Sequence, residues 1–181
     1  GDLGSTLTPT NIDASSPSKI GSKGVKPIRT PGSLLMVSRG GRRLYENASS
    51  SDSTNNDRDM HDLSILSEHL TTVGIRSIAF QQEPRPIVWA VTTDNKLVSM
   101  TYLREQKVFG WSSHPTDGTV LDVCVIPHPD GNRDQVWLLV DRGGVAPYIE
   151  YMDDANGFYG QLMVDSGLSD TLGAPSATVT G

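Results

Sequence analysis

The sequence predicts a mainly β protein: antiparallel four-stranded, blade-like sheets, part of an incomplete β-propeller, with one short helix and an extended N-terminal arm. Three observations lead there. Eighteen Gly and eleven Pro are spread through 181 residues, which favours frequent turns over long helices. Val, Ile and Leu gather in short discrete blocks. Val-Trp recurs at 88–89 and 136–137, 48 positions apart, each time opening a strand, a polar turn and a second strand that ends near an aromatic. A period near fifty residues suits a four-stranded propeller blade. A β-sandwich is the competing architecture, because evenly spaced strands and turns are common to both.

Residues 1–32 are rich in Ser, Thr, Gly, Pro and Lys, without periodicity, and read as an extended arm. Residues 33–152 form the blade region. It opens with Ser33–Glu46, a strand, a Gly-Gly turn and a second strand. Residues 47–59 read as a polar loop. In Asp62–Leu70, Asp62 can cap a short helix that places Leu63, Leu66 and Leu70 on one face. Strands are then expected at 77–80, 87–91, 97–102, 108–114, 120–127 and 135–152, the last interrupted by a glycine turn. Residues 153–181 read as a connecting segment to a further domain. Two to three blades cannot close a ring of roughly four to eight. The missing strands are therefore expected from other segments of a longer polypeptide.

Charge is uneven along the chain. Residues 1–45 carry a balance of +5, with Lys19, Lys23, Lys26, Arg29, Arg39, Arg42 and Arg43 against Asp2 and Asp13. Residues 46–181 carry −11. An acidic bulk argues against a general nucleic-acid binder. The basic run reads as a solvated arm or a contact with an acidic neighbour. No signal peptide, membrane-length apolar run or lipidation motif is visible, and a single cysteine excludes an internal disulfide. A soluble protein made in a reducing compartment is expected.

The chemistry-bearing residues form no recognisable constellation. Phosphate-loop, zinc-protease, nucleophile-elbow and paired-cysteine motifs are all missing. Cys124 lies in an apolar run and reads as a buried structural thiol. The acidic loop Asp52–Asp62 lacks the turn glycine and terminal glutamate of a calcium loop. His61 and His69 lack a third ligand, and His114 and His128 stand beside Pro115 and Pro129 in turns. Glu83 and Glu105 could form an acid/base pair, but the neighbouring Arg85 and Arg104 favour structural ion pairs. Trp89, Trp111 and Trp137 could stack sugars, yet Trp89 and Trp137 fall at repeated strand positions and read as buried core. Asn47-Ala-Ser49 matches a glycosylation acceptor, which carries no weight in a bacterial host. No catalytic, cofactor-binding or metal residue is expected, and no enzyme activity.

The order of motifs resembles one family. Asp62–Leu70, Ala79-Phe-Gln-Gln-Glu-Pro84, Ile87-Val-Trp-Ala-Val91, Met100–Gln106, Gly110-Trp111, Thr116-Asp-Gly118 and Val136–Arg142 follow one another as in tail tubular protein B, the tail nozzle family of short-tailed bacteriophages. The Leu34–Glu46 stretch matches the segment before them, and the resemblance spans residues 10–181. Asn95-Lys96 in place of the usual turn glycine and the polar expansion at 47–59 are small departures. The resemblance implies a virion structural protein, made in the bacterial cytoplasm and placed in the tail. It implies copies of the chain in a ring, usually a hexamer, meeting a portal adaptor and carrying tail fibres or spikes. DNA would pass through on ejection without specific binding, no membrane would be involved in the mature particle, and no cofactor is implied. Two other classes stay open: a host-receptor or glycan-binding tail module, and a propeller-based glycosidase or lyase.

Overall fold

The computed structural model describes residues 20–49 and 58–152. It is mainly β, with three antiparallel sheets and one short helix. The first sheet is β1 (Ile28–Thr30), β2 (Ser33–Val37), β3 (Leu44–Ser49) and β4 (Arg58–Asp62), paired in chain order. The second is β5 (Ile75–Gln81), β6 (Ile87–Thr92), β7 (Leu97–Leu103) and β8 (Val108–His114), again in chain order. The third has three strands, β9 (Thr119–Pro127), β10 (Asp134–Asp141) and β11 (Tyr148–Met152), with β10 in the middle. Neighbouring strands are joined directly, so every pair is local and antiparallel.

Sheet 2 stands between the other two. Period-2 alternation sends Val88, Ala90, Val98 and Met100 to one side, where they meet Leu35, Val37 and Leu44 of sheet 1. Trp89, Val91 and Leu97 point to the other side, against Val120, Val123, Val136 and Val140 of sheet 3. Both faces of sheet 2 are therefore covered, and two apolar layers hold three sheets. Among the described residues the sheets do not close on themselves.

The first three strands of sheet 2 and the three strands of sheet 3 match in register. Trp89 lies opposite Ala79 and Ser99, and Trp137 lies opposite Cys124 and Tyr151. Val91 faces Ser77 and Leu97, as Leu139 faces Asp122 and Ile149. Each first strand then carries one extra residue at the same place, Arg76 in β5 and Leu121 in β9. A bulge of this kind turns the side-chain phase over. The two bulged residues also meet, because the Arg76 guanidinium donates to the Leu121 carbonyl.

A second device recurs at both sheet junctions. Gly41, in the β2–β3 turn, has a left-handed φ of 78°, and its carbonyl accepts the Ile75 N–H that opens β5, at 2.7 Å. Asn95, in the β6–β7 turn, has φ 64°, and its carbonyl accepts the Val120 N–H near the start of β9, at 2.9 Å. Asparagine tolerates this backbone region, so Asn95 holds at one junction the conformation that a glycine holds at the other.

Three sequence expectations need correction. The expected arm ends in structure: β1 pairs with β2, Val25 is buried, and Ser22 bridges to Ser38, while residues 1–19 lie outside the described residues. The expected loop at 47–59 is strand at both ends, since β3 runs to Ser49 and β4 begins at Arg58. The helix begins later than expected. Asp62 ends β4, and its carboxylate accepts the Ser64 N–H and hydroxyl at 2.9 and 2.8 Å. A single 3-10 turn (Ile65–Ser67) and a four-residue helix α1 (Glu68–Thr71) come next. Leu63 is buried and Leu70 packs on the first layer, but Leu66 is 92% exposed. The break after Ser67 rotates Leu66 away from the face a continuous helix would give it.

Gly118 tests the tight entry to sheet 3. Its φ is 143°, and a Cβ there would lie 2.8 Å from the Asp141 carbonyl oxygen. Gly118→Ala is expected to lower stability by about 1–3 kcal/mol. Gly110→Ala, in β8 with nothing within 4 Å, serves as the control and should stay within about 0.5 kcal/mol. Urea unfolding of both variants makes the comparison.

Candidate interaction surface

Alternation fixes which side chains of sheet 3 face outward. Cys124 and Ile126 of β9, Trp137 and Leu139 of β10, and Ile149 and Tyr151 of β11 share the face turned away from sheet 2. Ile126 is 51% exposed, Ile149 75% and Tyr151 50%, whereas Trp137 and Leu139 are half-buried. The Trp137 and Tyr151 rings stand 5.4 Å apart. Asp122 and Asp141 are the charged strand residues on this side. A contiguous apolar face of this composition is the property expected of an interaction site.

The register equivalence shows what such a face does elsewhere. The matching face of sheet 2 carries Ala79, Trp89, Val91 and Leu97, all buried beneath sheet 3. Trp89 and Trp137 thus occupy equivalent strand positions, as the repeat predicts. Their burial differs, because a following sheet covers Trp89, whereas among the described residues none covers Trp137. Trp89 is 5% exposed, donates its indole N–H to Gln81 at 2.9 Å and rests its ring on His114 at 5.0 Å.

Cys124 corrects the expectation of a buried thiol. It is exposed on the outer face, because the Leu121 bulge sends Val123 and Val125 inward and Cys124 outward. Glu83 and Glu105 sit exposed in the β5–β6 and β7–β8 turns. Glu83 is fixed through its backbone N–H, which donates to Asp134 at 3.0 Å. Arg104 does not serve Glu105. It reaches Glu46 of sheet 1 at 2.9 Å instead. Trp111 packs on the first layer and donates to the Leu63 carbonyl at 2.9 Å. His61 is in β4, His69 in α1, and His128 pairs with Asp130 at 3.0 Å. Residues 52–57 of the acidic loop lie outside the described residues. Among the described residues, no group of three or more His, Cys, Asp or Glu is placed to hold a metal ion, and no helix is long and apolar enough to cross a membrane.

The polar cluster between sheets 1 and 2 has no counterpart in the sequence motifs. Glu46 is 3% exposed and accepts from the Tyr102 hydroxyl and from Arg104. Ser33 and Tyr102 hydroxyls lie 2.7 Å apart, and Thr30 and Ser33 hydroxyls 2.5 Å apart. Burial, then the hydrogen bond to Glu46, pushes the Tyr102 hydroxyl above its ordinary range. Every member has a partner, so the cluster reads as a rivet between sheets.

His114 gives a pH test of the second layer. Burial pushes its imidazole below the ordinary value, and its Nε2 lies 2.7 Å from the Ser99 hydroxyl. The folded state therefore favours the neutral ring. The stability this contributes is present above the unfolded-state pKa and is lost as pH falls below it. His114→Gln should flatten the slope of stability against pH in that window, as read by denaturation at a series of pH values.

Charge is segregated between the ends of the sheet series. Residues 20–45 carry Lys23, Lys26, Arg29, Arg39, Arg42 and Arg43 and no carboxylate. Residues 115–152 carry Asp117, Asp122, Asp130, Asp134, Asp141 and Glu150 against Arg133 and Arg142. No family model matches the chain, and no curated protein is significantly similar to it.

Proposed function

We propose that this protein is a structural subunit of a phage tail nozzle, one segment of a ring through which DNA leaves the particle. The ordered run of motifs from Asp62 to Arg142 carries this reading. Three further features support it. The sheets succeed one another as propeller blades do, at a repeat near fifty residues. The two half-buried titratable groups with shifted affinities, Tyr102 and His114, serve packing between sheets. The bulk of the chain is acidic, and a wall that passes DNA works best when it gains no phosphate contacts. The ring would be built of copies of the chain, usually six, with a portal adaptor above and fibres or spikes at its side.

Antibody raised against the 181-residue chain tests this on intact particles. Labelling of the tail axis in electron micrographs is expected. Particles labelled elsewhere, or not at all, would remove the nozzle reading. A map of the assembled tail should also place carboxylates on the lumen. A lumen lined by Lys23, Lys26, Arg29, Arg42 and Arg43 would contradict the conduit.

One observation favours a second reading, a glycan- or receptor-binding tail module. The Trp137–Tyr151 pair presents two aromatic rings on an exposed face, and such rings stack on sugars. Binding of the isolated protein to a glycan array, abolished by Trp137→Ala, would replace the nozzle reading with this one.

A further inference from the structure

We infer that the outer face of sheet 3 docks onto the outer face of sheet 1 of a second copy of this chain, so that copies join head to tail. The first argument is equivalence. Position for position, this face matches the face of sheet 2 that another sheet covers. Its β10–β11 turn also carries a left-handed glycine, Gly143 with φ 77°, three residues after Val140. Asn95 and Gly41 stand in the same relation to Thr92 and Ser38, and their carbonyls capture the next sheet.

The second argument is the available partner. Sheet 1 leaves Leu34, Met36, Tyr45 and Met60 half-buried on its outer side, where no described sheet covers them. The exposed Arg29 and Arg43 flank that side, and Asp62 there is engaged by Arg43 at 3.2 Å. The sheet 3 face carries Asp122 and Asp141 and no strand cation. Apolar centres and opposite rims make the two faces complementary, whereas two copies of either face would set like charges together.

A contact of this kind leaves one face free at each end, so copies add head to tail in a ring or an open filament. The docking rests only on the faces.

Cys124 provides the readout, because it is the only cysteine, is exposed in the single chain and would be covered in the assembly. The full chain is followed by sedimentation velocity and by maleimide labelling of Cys124 across protein concentration. Species at multiples of the 19.5 kDa chain are expected as concentration rises, with labelling slowed at least tenfold as they form. Ile149→Arg on one face, or Arg29→Glu with Met36→Glu on the other, should each give a monomer that labels rapidly. Mixing the two should restore pairing through the one intact contact. Circular dichroism and urea unfolding check that each variant is folded, and Arg29→Glu alone, at an exposed site, should weaken pairing where the double variant fails to fold. A wild-type monomer at every concentration overturns the docking and leaves the face to another partner. An assembly broken by Ile149→Arg but indifferent to the sheet 1 changes overturns it in favour of a symmetric face-to-face pair.

Discussion

Trp89→Ala is expected to destabilise the fold by about 3–5 kcal/mol, the range for removing a packed aromatic. Trp137→Ala, measured under the same monomeric conditions, is expected to cost less than half as much. The two residues share strand position and direction, so propensity and backbone effects cancel in the comparison. What differs is cover. Trp89 fills the layer between sheets 2 and 3, supports the His114 ring and satisfies Gln81. Its truncation leaves a cavity and an orphaned Gln81 oxygen, and both terms add. Trp137 loses contact chiefly with Tyr151. Equal losses in chemical denaturation would mean that sheet 3 does not shield Trp89 as described.

Arg104→Ala should be the second large effect, at about 3 kcal/mol. Breaking a buried ion pair from one side costs on the order of 3–5 kcal/mol. The low end applies because Arg104 is 40% exposed and the Tyr102 hydroxyl still serves Glu46. The loss comes mostly from stranding a carboxylate that is 3% exposed. Removing both charges should therefore recover stability. Glu46→Leu with Arg104→Met is expected to lie closer to wild type than Arg104→Ala alone. A double variant that simply sums the two single losses would show that the pair contributes attraction beyond relief of burial.

Most strands are legible because each runs for five to nine residues in period 2 between Gly, Pro or Asx turns. The 108–114 strand matches its expected bounds to the residue. The errors have physical sources. Val120 to Pro127 is apolar almost throughout, so alternation alone cannot say which half faces in. Counting by twos from Val120 buries Asp122 and Cys124. The bulge at Leu121 reverses that phase and exposes both. The Leu63–Leu70 pattern fits a helix, but the chain must first leave β4, and Ser64 is held by Asp62 and by the Leu44 N–H. Strand β1 is three residues long and lies among prolines and glycines, too short to show a period. The Glu46–Arg104 pair joins residues 58 positions apart on different sheets. The sequence-adjacent Arg104-Glu105 offers a nearer partner, and nothing local reveals that a buried carboxylate has the stronger claim. The candidate surface is half legible: the Val-Trp repeat locates Trp137, but its exposure depends on whether another sheet covers sheet 3.

The register match between sheets 2 and 3 has a consequence for where this scaffold accepts change in length. Ala79 and Cys124 are 45 positions apart, Trp89 and Trp137 48, and Ser99 and Tyr151 52. The offset grows only on crossing a turn, by three residues and then by four. The strands behave as a fixed reading frame and the rims as spacers. One residue added inside β6 or β10 would exchange the contents of two layers at once. Several added at 144–147 would leave both layers in phase, whereas the 93–96 turn holds Asn95, whose carbonyl fixes the start of β9. Foreign peptide belongs on the rims.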